Sequence, residues 1–280
     1  MLLSRGVRRM DVALERLDRE RILAGLTATA RAGVSRLETY SVLDSTNRYL
    51  LAGAQDDWPS GAVCLAEQQT AGRGRQGRSW LTPFGASLAY SLLWRFAAPP
   101  EALSGLSLAT GVAVARVLRE IGVSEVGLKW PNDVWWRGRK LGGILLESGG
   151  VAGDFYVVAG VGLNLALPRQ DAAVIDQPWV DLQEIPGTEP VSRNRLAAAL
   201  ISELVETFSE FQQGGFADLA TEWAQFDQVA GRQVSLHLPN ATVTGIARGV
   251  DATGALLLET AGGGIRPCIG GEIRLRIIAP

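Results

Sequence analysis

The sequence predicts an α+β fold, in which a mixed β-sheet carrying helices is followed by a small β-barrel. Three observations predict it. From residue 36 onward, short apolar strands alternate with helical stretches. Several of those strands follow one another across glycine-bearing turns, as hairpins do. After about residue 228 the pattern changes to short strands at regular spacing with turn residues between them, which describes a small barrel.

Residues 11–31 read as a helix, with Leu14, Leu17 and Leu26 set among charges and a break expected at Gly25. A strand is expected over 37–42, a helix from Ser45 or Thr46, and strands over 63–67 and 87–94. A long helix over 104–121 precedes strands at 127–129, 134–136, 141–147 and 155–165, with Gly149, Gly150 and Gly153 turning the last pair. Over 194–212, Leu196, Leu200, Leu204 and Phe208 recur at helical spacing. Strands in hairpins with helices between them imply a sheet with helices on one face. Barrel strands are expected at 234–238, 242–249, 255–259 and 271–278, separated by Pro239-Asn240, residues 251–254 and Gly262-Gly263-Gly264. The expected division is a helical leader (1–35), a main domain (36–228) and a barrel (229–280).

Composition narrows the function. With 280 residues, 47% of them hydrophobic, the chain has ample material for a core. Its 27 Lys and Arg against 29 acidic residues give a net charge of −2 and no global attraction for nucleic acid or an anionic membrane. Cys64 and Cys268 lack metal-type spacing and fit a reducing compartment, so the cytoplasm is expected. The sequence has no apolar run of membrane-spanning length and no signal-peptide core, and Asp11, Glu15, Asp18 and Glu20 argue against a transit segment built on Arg5, Arg8 and Arg9. His237 is the only histidine, which removes Ser-His-Asp chemistry and multi-histidine metal sites; no metal site is expected.

Four clusters carry the chemistry. The first is Gly72-Arg73-Gly74-Arg75-Gln76-Gly77-Arg78-Ser79-Trp80, three arginines among glycines whose uncovered amides suit an anion. It also spells G-x-G-x-x-G, but Pro83 and Gly85 stand where a dinucleotide-binding motif needs a helix. A solvated basic loop or an RNA contact is the bland alternative. The second is Lys129-Trp130-Pro131-Asn132-Asp133 with Lys140-Leu141-Gly142-Gly143. A strand-turn-strand unit would bring the amide, the carboxylate and the Lys140 ammonium together, able to stabilise charge on transferring oxygens or help hold magnesium. A simple hairpin turn with a surface lysine is its alternative. Third, Asp44-Ser45-Thr46-Asn47 reads as a helix cap whose spare hydroxyls and amide, with Gln69, could hold a compact polar head. Fourth, Gly160 and Gly162 interrupt an apolar strand, as glycines do where a ligand or another backbone approaches.

In this order and spacing the clusters resemble the biotin protein ligase family, over roughly residues 17–276. The resemblance implies a catalytic domain related to class II aminoacyl-tRNA synthetases and a C-terminal SH3-like barrel. It implies biotin contacts at Ser45, Thr46, Asn47, Gln69, Arg73, Gly74, Arg75 and Lys140, with the valerate tail passing along Gly143, Gly160 and Gly162. Lys140, Arg75 and Asp133 take the catalytic roles. The ATP and adenylate contacts implied are Arg73, Arg75, Arg78, Trp80, Asn132, Lys140, Asn164, Trp179 and Arg276. The substrates would be ATP and biotin with Mg2+, and the acceptor a lysine of a biotin carboxyl carrier protein. Relatives often dimerise through the sheet edge, so a homodimer is allowed. About 44 residues precede Ser45, against roughly sixty for the winged helix-turn-helix of bifunctional members, so a ligase without specific DNA binding is expected. A lipoate or octanoate ligase, or a nucleic-acid-binding module, are the rival readings.

Overall fold

A computed structural model of the chain describes residues 14–97, 103–151, 154–188, 191–238, 241–270 and 273–278. A seven-stranded sheet runs in the order β1 (Arg36–Leu43), β2 (Ala62–Gln69), β3 (Ser87–Phe96), β7 (Asp154–Asn164), β6 (Arg139–Val151), β5 (Asp133–Trp136), β4 (Val126–Lys129). Only β1 and β2 are parallel, so the sheet is mixed as expected.

Alternation along each strand decides which helix it meets. On β3, Leu88, Tyr90, Leu92, Trp94 and Phe96 face the main core, which also takes α4 (Leu106–Glu120) and α5 (Arg193–Gly214). α4 is apolar almost all round because it lies between the sheet, α5 and the short α6 (Ala220–Phe226). The opposite face carries α3 (Thr46–Gln55), whose Leu50 and Ala54 pack on Ala62, Cys64, Leu93, Tyr156 and Val158. Helices therefore cover both faces, not one as expected, because β2 and β3 are buried on both sides. That second layer builds the site.

The leader differs from the single helix expected over 11–31. Residues 14–18 are not helical, and two short helices follow, α1 (Arg19–Gly25) and α2 (Ala28–Gly33), each opened by its own cap, Asp18 and Thr27. Both pack on α5, where a Cβ at Gly25 or Gly33 would press on Ala198 or Val205. The start of the expected helix, 11–13, lies outside the described residues. Gly149 and Gly150 sit within β6, paired with Tyr156 and Phe155, so the turn is shorter than expected; Gly153 lies outside the described residues.

The C-terminal region is a five-stranded antiparallel sheet in the order β11 (Ile265–Cys268), β10 (Leu256–Glu259), β9 (Thr242–Val250), β8 (Gln233–His237), β12 (Arg274–Ile277). The turn at 239–240 and the start of the strand expected from 271 lie outside the described residues. This sheet is held against the first: the Trp130 indole Nε1 donates to Gly254 O at 3.1 Å, and its buried residues join the main core. It thus abuts the 130–133 turn.

Candidate active site

The head of α3 forms one end of a cleft. Ser45 caps the helix, accepting from Arg48 N, which leaves Thr46 and Asn47 to turn inward, 3% and 4% exposed. Asn47 rests directly on Gly160 of β7, where a Cβ would collide with its Oδ1. Its Nδ2 donates to Glu147 Oε2 at 2.9 Å and to Leu145 O at 3.2 Å, and Ser91 Oγ lies 2.6 Å from its Oδ1. Thr46 N donates to Gln69 Oε1 at 2.9 Å, and Gln69 Nε2 donates to Thr82 Oγ1 at 3.2 Å. The buried donors and acceptors satisfy one another while lining a cavity, which suits a small polar ligand head.

The arginine loop closes on itself. Arg73 bridges Ser79, Trp80 N donates to Gly72 O at 2.8 Å, and Gly74 N donates to Arg78 O at 2.7 Å. The Gly74 amide is therefore already taken, contrary to the expectation of an uncovered donor there: the loop needs it to hold its own turn, in which Gln76 and Gly77 have φ of 57° and 70°. No helix follows, as expected for a loop that is no dinucleotide fingerprint. Arg73 Nη1 meets Glu147 Oε1 at 3.0 Å, while Arg75 Nη1 donates to Asn132 Oδ1 at 3.1 Å. Burial pulls the Arg75 guanidinium below its ordinary value, with Asp133 opposing. Arg78 stays exposed.

Lys140 lies at the other end. β5 and β6 form a hairpin in which Trp135 opposes Lys140, and Lys140 Nζ reaches Asp133 Oδ1 at 2.6 Å. The two side chains are 10% and 12% exposed, so the pair is largely desolvated. Asn132 follows the cis Trp130-Pro131 bond and is fixed by Nδ2 donating to Ile144 O at 2.8 Å and by its own carbonyl accepting from Ile144 N at 2.9 Å. Lys129 stands opposite Asp133 on β4, and burial holds its ammonium below the ordinary lysine value, with Asp133 opposing.

Between these ends, Gly143 and Gly162 leave room on the sheet for the Trp80 ring. Trp80 lies over them: a Cβ at Gly143 would sit 3.4 Å from its ring and one at Gly162 would collide with it. Lys140 Nζ is 5.5 Å from the same ring. The segment before Trp179 docks on Lys140, whose N donates to Pro178 O at 2.9 Å and whose O accepts from Val180 N at 3.0 Å. Asn164 Nδ2 donates to Val180 O at 3.1 Å, and the Arg169 guanidinium covers the Trp179 ring at 4.7 Å.

The cleft has a volume of about 1100 Å³ and gathers Ser45, Gln69, Arg75, Asn132, Lys140 and Trp179, residues far apart in sequence, around one space. Asp133 stands just behind Lys140. Arg276 does not line the cleft; it is exposed on β12, while its neighbour Arg274 donates to Gln76 Oε1 of the loop. Sequence reasoning gave no role to Glu147, Ser91 or Thr82, which tie the polar end together. Among the described residues no group of three or more His, Cys, Asp or Glu is arranged to hold a metal ion.

Residues 39–164 match the family described as "Biotin/lipoate A/B protein ligase family", and residues 229–276 match "Biotin protein ligase C terminal domain". Fold and site thus define a protein ligase of the biotin/lipoate class. The chain is 46% identical over 236 residues to "Bifunctional ligase/repressor BirA" of Escherichia coli (strain K12), covering 84% of this chain and 72% of that protein. It is 37% identical over 266 residues to "Biotin--[acetyl-CoA-carboxylase] ligase" of Mycobacterium tuberculosis, covering 92% and 96%. Among solved structures, "Biotin protein ligase from Aquifex aeolicus in complex with biotin and ATP" superposes with a TM-score of 0.72 at 28% identity, covering 87% of this chain and all of that one. The chain belongs to the biotin protein ligase family.

Proposed function

We propose that the cleft joins biotin to a protein lysine in two steps. The biotin carboxylate attacks the α-phosphorus of ATP; the new C(O)O–P bond replaces the bond to the departing pyrophosphate, giving biotinyl-5′-AMP. The acceptor amine then attacks the acyl carbon, the C–O bond to AMP breaks, and the amine gives up a proton. The juxtaposition that carries this reading is Lys140 and Arg75 at one end of a glycine-floored cleft and Thr46, Asn47 and Gln69 at the other. The polar end suits the ureido ring of biotin, and the cleft wall at Gly143, Gly160 and Gly162, where missing side chains let Asn47 and Trp80 pack close to the sheet, suits its tail. Lys140 and Arg75 would neutralise charge gathering on the carboxylate and α-phosphate, and Asp133 holds the Lys140 ammonium in place. The arginine loop would exclude water from the mixed anhydride. Arg73, Gly74, Arg78, Trp80, Asn132, Asn164, Trp179 and Ser45 complete the proposed ligand shell. Arg276 belongs to it on the family resemblance and on its place beside Arg274, whose side chain reaches the loop.

Magnesium would come with the nucleotide and would neutralise charge on its phosphates; among the described residues no group of three or more His, Cys, Asp or Glu is arranged to hold the ion. The acceptor is a biotin carboxyl carrier domain. The functional division at 36–228 and 229–280 is supported by the separate sheets and their separate family matches. That the ligase binds no specific DNA is likewise part of the proposal. Cytoplasmic residence is part of the proposal; among the described residues no helix is long and apolar enough to cross a membrane. A homodimer through a sheet edge remains part of the proposal.

ATP–pyrophosphate exchange with biotin or lipoate tests the assignment. Biotin-dependent exchange, followed by labelling of a carrier domain, supports it; exchange with lipoate alone transfers the protein to the lipoate branch.

A further inference from the structure

We propose that Glu147 is a positioning residue that ties the arginine loop to the ring-binding end of the cleft. The inference rests on the biotin-ligase reading and deepens it. Glu147 projects from β6 on the α3 side of the sheet, and its two carboxylate oxygens serve different masters. Oε1 pairs with Arg73 Nη1 at 3.0 Å, at the entry of the loop, and Oε2 accepts from Asn47 Nδ2 at 2.9 Å, on the head of α3.

The contacts continue through Asn47. Its Oδ1 is 2.6 Å from Ser91 Oγ, which is 2.7 Å from Thr46 Oγ1; Thr46 in turn binds Gln69 Oε1, and Gln69 Nε2 donates to Thr82 Oγ1 at 3.2 Å. Thr82 lies on the exit of the same loop, bridged to Gln69. One polar chain therefore connects both stalks of the loop, and its middle members, Thr46, Asn47 and Gln69, are the groups that line the cleft. A ligand head bonding to Asn47 or Thr46 must redistribute these bonds. Glu147 is the member through which that redistribution reaches Arg73.

A carboxylate is needed for both tasks, because it is acceptor-only and both partners are donors. Glutamine at 147 keeps one acceptor oxygen for Asn47 but offers Arg73 an amide donor. Glu147→Gln thus cuts the loop tether while sparing the ring-binding end, and Glu147→Ala cuts both. The Arg73 side chain is 43% exposed, so the tether itself is a modest interaction, worth about three- to fivefold in a loop-opening equilibrium.

Limited trypsin cleavage after Arg73, Arg75 or Arg78 in the ligand-free full chain reads the tether without any reaction. Glu147→Gln is expected to speed loop cleavage about three- to fivefold over the parent, to raise acceptor-independent AMP release by a similar factor, and to change biotin KM less than Glu147→Ala does. Arg73→Met is expected to give the same AMP-release defect, and the double variant with Glu147→Gln no more than either alone. A merely structural role would lower the unfolding temperature without this saturation. Parent-like loop cleavage in Glu147→Gln, or defects that multiply in the double variant, would overturn the proposal. Absence of biotin-dependent exchange in the parent itself would instead sink the reaction assignment, while the cleavage result still decides the tether.

Discussion

Lys140 Nζ sits 2.6 Å from Asp133 Oδ1, a short contact made across two neighbouring strands with both side chains largely buried. A cation so placed is preorganised: it does not have to be drawn from solvent when negative charge develops on the nucleotide. Lys140→Ala is expected to lower biotin-dependent pyrophosphate exchange roughly a hundredfold or more while the far-UV spectrum stays native. Exchange near the parent rate in the folded variant removes Lys140 from the chemistry.

Arg75 makes its contact with Asn132 Oδ1 at 3.1 Å, which joins the loop to the catalytic turn. Removing a charge-assisted hydrogen bond of roughly 1.5 kcal/mol corresponds to about a tenfold change. Arg75→Ala is expected to let the adenylate escape about tenfold faster, seen as biotin-dependent AMP formation without acceptor. Unchanged retention contradicts the loop's role as a lid.

Two glycines of the cleft floor are expected to behave differently. A Cβ at Gly160 would strike Asn47 Oδ1, part of a tightly bonded buried network, whereas a Cβ at Gly143 would come no nearer than 3.4 Å to Lys140 or Trp80. Gly160→Ala should therefore raise biotin KM about tenfold by unseating a buried hydrogen-bonding group, with Gly143→Ala much milder. Steady-state titration of biotin at saturating ATP measures both, and the opposite order would refute the assignment of the ring-binding end to Asn47.

Acid stability has a named contributor away from the cleft. Arg116 bonds Glu222 at 2.5 Å and Glu203 at 2.8 Å, clasping α4 to α6 and α5. The Arg116 hydrogen bond holds the Glu222 carboxyl below its ordinary value. A depressed folded-state pKa means stability that is full at neutral pH and lost as pH falls through the carboxylate range, roughly pH 4.5 and below. Glu222→Gln is expected to be less stable than the parent at neutral pH, with the gap in unfolding temperature closing as pH falls below about 4.5. A gap that widens on acidification is the contrary result.

Much of this was legible in the residues themselves. Short apolar runs marked β1 to β3 and β7 nearly to their ends, and Ser45 marked the start of α3 as its cap. The clusters around Thr46, Arg75 and Lys140 carried enough chemistry to be recognised singly, and the sheet brought them together. What escaped notice depended on partners distant in sequence. Glu147 reads as an ordinary strand residue until the fold sets it against Asn47, a hundred residues away. β11 was missed because Pro267 disfavours a strand, yet β11 is an edge strand, where a missing backbone donor is tolerated. α6 spans only seven residues and is held by burial of Trp223 and Phe226 more than by any local signal. The position of α3 on the far face followed from both sides of β2 being apolar, a pattern that periodicity does not distinguish from a buried helix.

The reaction intermediate offers the most direct measurement. Parent protein mixed with biotin and ATP labelled in its α-phosphate, without acceptor, is acid-quenched, and the nucleotide products are separated. The expected result is close to one equivalent of biotinyl-5′-AMP held per chain, discharged to AMP when a biotin carrier domain is added, and not formed by Lys140→Ala. Labelled nucleotide that stays as ATP whether or not biotin is present, in folded parent protein, would contradict the account.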